Sequence, residues 1–374
     1  MIDTNIKLDE IYQQNINFLF GSGASADSLP TLSVKAKKSD GKNHTIETIS
    51  NQIGDANDDE TIRLRALLFM HYYKTCIQPM IELDSNNLNE SQLGTITNYE
   101  KFLSIVIHML SRKGANLKPV CNFFTTNYDG FIELTADKIL TEKNHNISIN
   151  DGTRGFLKKY LDVKNFNINF RQSGTFSDIP HLIPQINLIH LHGSCYWKKN
   201  EGKIEVDYIK KENLITIDAS ILDPFSKLLN NPKSTYDDFK TYASKIDNSF
   251  SSVAREFMES YNKLPIVNPT KWKFHETIFE EHYYEMLRLL SYELEKKDTV
   301  LITFGFSFSD QHILKLVQRS LYNPGLQVFI CCHNEDDLLD VQDKFNGYKN
   351  IKYIYSAEKS LDFELLTSEV LTNI

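Results

Sequence analysis

Six short stretches of this chain are rich in apolar residues, and most of them are apolar on successive positions rather than alternating ones: residues 16–20, 120–124, 186–191, 300–305, 328–332 and 351–355. Each is about one strand long. A strand that is apolar on both faces must be covered on both, as in a parallel sheet held between layers of helices. Helical patterns fall between the runs. Phe102, Leu103, Val106, Ile107 and Leu110 form one stripe at helical spacing, and Ile278, Tyr283, Met286, Leu287, Leu290 and Leu294 form another. Ile313, Leu314, Val317 and Leu321 follow the run that ends at Gly305, and residues 338–345 follow the next run. The pattern predicts an α/β fold, a Rossmann-like parallel sheet with helices on both faces.

Two intervals interrupt the alternation. Residues 35–98 begin as a polar loop and continue into a helix around 62–81. Residues 195–269 hold a strand-like piece near 204–208 and helices across 236–261. Both read as helical insertions in a single domain spanning 1–374, whose core covers about 10–34, 99–194 and 270–374. The insertions offer surfaces for assembly, with the stretch 239–261 as a candidate.

The net charge of −8 argues against broad electrostatic binding of nucleic acid. No apolar run approaches the ~20 residues of a membrane span, and residues 1–5 lack a secretory signal. The five cysteines form no C-x-x-C pair, so neither a zinc module nor a disulfide framework is indicated. The expectation is a cytoplasmic protein with no membrane partner and no metal.

Chemistry has four places to reside. In Gly21-Ser22-Gly23-Ala24-Ser25, a strand runs into a small-residue turn whose backbone can approach a phosphate. The third glycine of a full dinucleotide fingerprint is missing, and a plain strand-to-helix turn fits equally. In Thr125-Thr126-Asn127-Tyr128-Asp129, polar side chains follow a buried strand. Helix capping, with Asn127 as N-cap and Asp129 in the first turn, explains them as well as ligand contact does. In His190-Leu191-His192-Gly193, alternation puts both imidazoles on one strand face, without further metal-ligand spacing. In Gly305-Phe306-Ser307-Phe308-Ser309-Asp310, strand, turn and helix recur, with Ser309 placed as N-cap and Asp310 in the first turn.

The order of these motifs resembles the sirtuin family, and the anchors run from Gly21 to His312. The resemblance implies NAD binding. Gly21, Ser22, Gly23, Ala24, Ser25 and Pro30 would serve the nucleotide from the first motif, Thr126 and Asp129 from the second, and Gly305, Ser307 and Asp310 from the last. Asn127 and His192 match the family's catalytic asparagine and histidine. Two departures count against lysine deacylation. The family's four-cysteine zinc module has only Cys195 in its interval, and its Pro-Asp-Phe-Arg segment is replaced by Pro30-Thr31-Leu32-Ser33. The chain looks more like the divergent sirtuin-like NADases of bacterial antiphage defence. Residues 268–274 and the Gly-Phe-Ser-Phe-Ser-Asp-Gln-His-Ile segment (residues 305–313) resemble the subunit that accompanies a HerA-type ATPase.

That resemblance implies an NAD glycohydrolase, a homo-oligomer and a HerA-type ATPase partner. Asn127 would orient the ribose or the attacking water, and His192 would accept a proton. A non-catalytic sensor of NAD or ADP-ribose stays open as an alternative, as does a defence nuclease using Asp129, Asp310 and His312.

Overall fold

The computed structural model describes residues 2–3, 5–114, 117–142, 145–174, 177–209, 218–267 and 277–372. Residues 268–274 and the side chain of Ile278, both used in the sequence reading, lie outside what it describes. The chain forms two compact units, one of Met1–Ser28, Leu88–Val206 and Ile278–Ile374, the other of Leu29–Asn87 and Asp207–Thr277.

The first unit is built on eight strands: β1 (Ile2–Asp3), β2 (Asn15–Phe20), β3 (Val120–Thr125), β4 (Ser148–Asn150), β5 (Gln185–His190), β6 (Thr299–Phe304), β7 (Leu326–Cys331) and β8 (Ile351–Ile354). They lie in the order β1-β8-β7-β6-β2-β3-β5-β4. Every pairing is parallel. All six apolar runs are strands within a residue or two. β1 and β4 carry no such run, being too short or too polar to register as buried strands.

Parallel neighbours need crossovers, and helices supply them. These include α1 (Glu90–Ser111), α2 (Phe131–Glu142), α3 (Thr277–Leu294), α4 (Gln311–Ser320) and α5 (Glu335–Lys344). A capping box between Asn89 and Gln92 opens α1. Its buried stripe carries Phe102 to within 4.9 Å of both Phe18 and Phe20 and 5.6 Å of Phe123. This aromatic cluster seats the helix on β2 and β3.

Asparagines run across the sheet in register. Asn17 is opposite Asn122, Asn122 opposite Asn187, and Asn187 opposite Asn150. Asn122 Nδ2 donates to Asn17 Oδ1 at 2.9 Å, and Asn187 Nδ2 donates to Asn122 Oδ1 at 2.8 Å. Gln185 Nε2 closes the row on Asn187 Oδ1 at 2.7 Å. Mutual bonding is what makes burying these carboxamides tolerable.

The order of the strands locates the ligand edge. From β2 the chain moves outward through β3 to β5, then crosses back to β6 on the other side of β2 and continues to β7 and β8. The direction of winding reverses at β2, and the loops that leave the carboxyl ends of β2 and β6 part there. Open α/β sheets bind ligands in the crevice at such a switch point.

A small antiparallel sheet completes this unit, formed by Thr153–Arg154, Lys159–Leu161, Trp197–Asn200 and Lys203–Val206. The second unit packs helices Ile46–Ile53, Ala219–Leu229, Tyr236–Lys245 and Phe250–Tyr261 around Asp59–Tyr72. Phe239, Phe257 and Tyr261 are fully buried in this unit. The apolar residues Phe239, Phe257 and Tyr261 therefore build the unit's own core. Among the described residues, no helix is long and apolar enough to cross a membrane.

Candidate active site

Two glycine turns meet at the switch point. Beyond β2 the chain enters a short 3-10 turn, Ser22–Ser25. Gly21 N donates to Phe304 O and Gly23 N to Gly305 O, both at 3.0 Å, while Ala24 N returns to Gly21 O at 3.0 Å. Two amides of the loop thus hold it against the β6 turn, and a third closes the loop on itself. A Cβ on Gly21 would sit 2.5 Å from Gly305 O, and one on Gly23 would sit 2.6 Å from Gly305 Cα. Gly305 itself has φ +60°, a left-handed conformation natural to glycine. The Ser22 side chain is exposed, whereas Ala24 and Ser25 are buried.

Ser25 reaches the second motif. Asn127 Nδ2 donates to Ser25 Oγ at 3.4 Å, and the Ser25 hydroxyl lies close enough to the Asp129 carboxyl to favour its ionised form. The buried Tyr99 hydroxyl lies near Ser25 and Asn127. Thr126 N donates to Phe20 O at 3.0 Å, tying the ends of β2 and β3. Burial pushes the Asp129 carboxyl up to about 6. The Glu133 charge adds to this, and the Ser25 hydroxyl pulls the other way.

The capping expectation shifts here. Helix α2 begins at Phe131, and it is Asp129 Oδ1 that accepts from Phe131 N, at 3.3 Å. Asn127 lies too far upstream to be the N-cap, and its carboxamide turns to Ser25 instead. At α4 the correction is a single residue. Its N-cap is Asp310, whose Oδ1 accepts from His312 N at 2.8 Å and Ile313 N at 3.2 Å. Ser309 Oγ instead pairs with Ser307 Oγ at 2.9 Å, both residues being exposed.

The two histidines have different surroundings. β5 ends at His190, so strand alternation does not extend to His192. His190 Nδ1 bonds Asn127 O at 3.0 Å and Nε2 bonds Glu133 Oε1 at 2.8 Å. Both ring nitrogens therefore face acceptors. Burial opposes the charge on His190, but Glu133 and the Asn127 carbonyl outweigh it and raise the pKa. His192 Nε2 lies 3.2 Å from Asp310 Oδ2. The sequence reading placed His192 and Asp310 in separate motifs, and the fold brings them into contact.

Several contributors escaped the sequence reading. Glu133 sits one helical turn beyond Asp129, and its role depends on His190, 57 residues away. Gly130 is another: a Cβ there would fall 2.3 Å from the Tyr196 ring. Cys195 N also donates to Tyr128 O at 3.0 Å, so the loops after β3 and β5 are closely joined. Pro30 belongs to the second unit. Among the described residues, no three His, Cys, Asp or Glu side chains converge as a metal-ligand set.

What the arrangement offers is a set of hydroxyl, carboxamide, carboxyl and imidazole groups at one sheet edge, suited to a polyhydroxylated ligand such as a ribose. A family model described as a SIR2-like domain matches residues 122–354, more than half of the chain. Among curated proteins, none matches the chain in sequence.

Proposed function

Since this chain belongs to the SIR2-like family, whose domains are associated with NAD chemistry, we propose that it hydrolyses NAD to nicotinamide and ADP-ribose. The supporting observation is the clustering of Asn127, Ser25, Asp129, His192 and Asp310 around the carboxyl ends of β2, β3, β5 and β6. The donor set suits a nucleotide ribose, and NAD enters this reading as substrate.

Nicotinamide leaves as a neutral molecule because the breaking bond's electron pair passes to the pyridinium nitrogen, so little acid assistance is needed. The oxygen of water bonds to the anomeric carbon, and the displaced proton passes to His192, directly or through the ribose hydroxyls. Asn127 orients the ribose or the water, with its backbone carbonyl held by His190 and its side chain by Ser25. The protein's role is to place groups rather than to supply a strong acid.

In this reading the chain is an NAD-depleting effector of antiphage defence, acting as a homo-oligomer with a HerA-type ATPase that restrains or triggers it. The decisive experiment follows nicotinamide release by wild type, Asn127→Ala and His192→Ala, with and without a HerA-type ATPase. Release by wild type and by neither variant supports the proposal. NAD binding without release under any condition would favour a sensor, and absence of NAD binding would reject the reading.

A further inference from the structure

We propose that Asp310 is the positioning residue of His192, holding the imidazole through Nε2–H so that Nδ1 is the nitrogen that accepts the proton. This rests on the NAD-hydrolysis reading for its consequence, but the geometry stands apart from it. The observation is a distance, 3.2 Å between His192 Nε2 and Asp310 Oδ2; since a carboxylate can only accept, a neutral imidazole that donates across this contact does so from Nε2. The side chains of His192 and Asp310 are only 18% and 8% exposed, so the contact is shielded from competing water.

Asp310 is itself fixed. Its Oδ1 accepts from the first amides of α4, and its Oδ2 lies 3.2 Å from His192 Nε2. Helix α4 is anchored by the buried Ile313 and Val317. The turn that delivers Asp310 is held by Phe308, a non-glycine residue at φ +54°. Phe308 is fully buried, with its ring 4.9 Å from both Phe306 and Phe345. Left-handed backbone at a bulky residue persists only where the surroundings enforce it.

The contact also spans the crevice. His192 follows β5 and Asp310 follows β6, and β2 and β3 lie between those strands. Three strand spacings amount to about 14 Å. The pair thus links the two loops that flank the ends of β2 and β3, where the glycine turn and Asn127 lie. His190 makes a useful contrast, because both of its nitrogens face acceptors and neither can act as a base.

The test uses Asp310→Asn, which separates capping from tautomer control. Asparagine is as good an N-cap as aspartate. With its oxygen retained by the α4 amides, its NH2 faces His192 Nε2 and forces the proton onto Nδ1. Nitrogen-15 spectra of histidine-labelled protein at neutral pH, with the His192 signals assigned by His192→Gln, should read Nε2–H in wild type and Nδ1–H in Asp310→Asn. The melting temperature should stay within about 2 °C. For nicotinamide release, kcat should fall about 100-fold or more with KM for NAD nearly unchanged. An Nδ1–H tautomer in wild type, or an unchanged tautomer in Asp310→Asn, overturns the assignment. So does a raised KM at constant kcat, which would make Asp310 a ligand-binding group only. If wild type releases no nicotinamide but the tautomer still switches, the positioning role stands and the hydrolase reading falls.

Discussion

Gly23 and Gly305 meet backbone to backbone at the switch point of the sheet. Gly23 N donates to Gly305 O at 3.0 Å, and a Cβ on Gly305 would lie 2.6 Å from Ala24 N. The turns after β2 and β6 are therefore one structural unit, and the glycines serve that junction in addition to any role toward a nucleotide. Gly305→Ala should cost about 2–4 kcal/mol, since it combines a left-handed backbone with a contact to main chain that cannot give way. Urea unfolding measures this, and a loss below about 1 kcal/mol would show that the turns can separate freely.

Asp129 carries an electrostatic burden with a definite pH signature. A carboxyl whose pKa is raised to about 6 on folding contributes stability that is fully present below about 4 and is lost as pH rises through about 6. The shift corresponds to about 3 kcal/mol of destabilisation at pH 8. Asp129→Asn should therefore melt higher than wild type at pH 8, and the gain should shrink between pH 6 and pH 4. An equal difference at both pH values would mean that Asp129 is ionised in the folded protein at its ordinary pKa.

The asparagine row predicts a penalty that hydrophobicity alone would not. Asn122→Leu replaces a buried carboxamide with an apolar group of similar size, yet it strips partners from Asn17 and Asn187 together. Asn187 Nδ2 keeps Phe166 O as acceptor, but Asn17 Oδ1 loses its donor, and the change should cost about 1–3 kcal/mol in denaturant unfolding. A neutral or stabilising result would mean that the row relaxes onto other partners.

Gly130 and Tyr196 are expected to be coupled. Gly130→Ala drives a Cβ into the Tyr196 ring and should destabilise by about 1–3 kcal/mol. Combined with Tyr196→Ala, the penalty of the glycine change should largely vanish, giving a non-additive double-mutant cycle. Additive losses would place the strain elsewhere.

What the sequence by itself determined is local. Clustered apolar residues marked six of the strands because burial on both faces favours apolar side chains on both, and glycines next to strand ends marked the turns. The residues at the edge of the sheet, from Gly21 to Asp310, were legible for the same reason. The tertiary structure decided what depends on distant partners. Strand order put β2 between β3 and β6 and so defined the crevice. The same packing joined His192 to Asp310 across 118 positions of chain and assigned His190 to Glu133. Burial beside Glu133 raised the pKa of Asp129. The N-cap positions at α2 and α4 were also settled there, because whether an oxygen turns to a helix amide or to another side chain depends on which partner the fold places within about 3 Å.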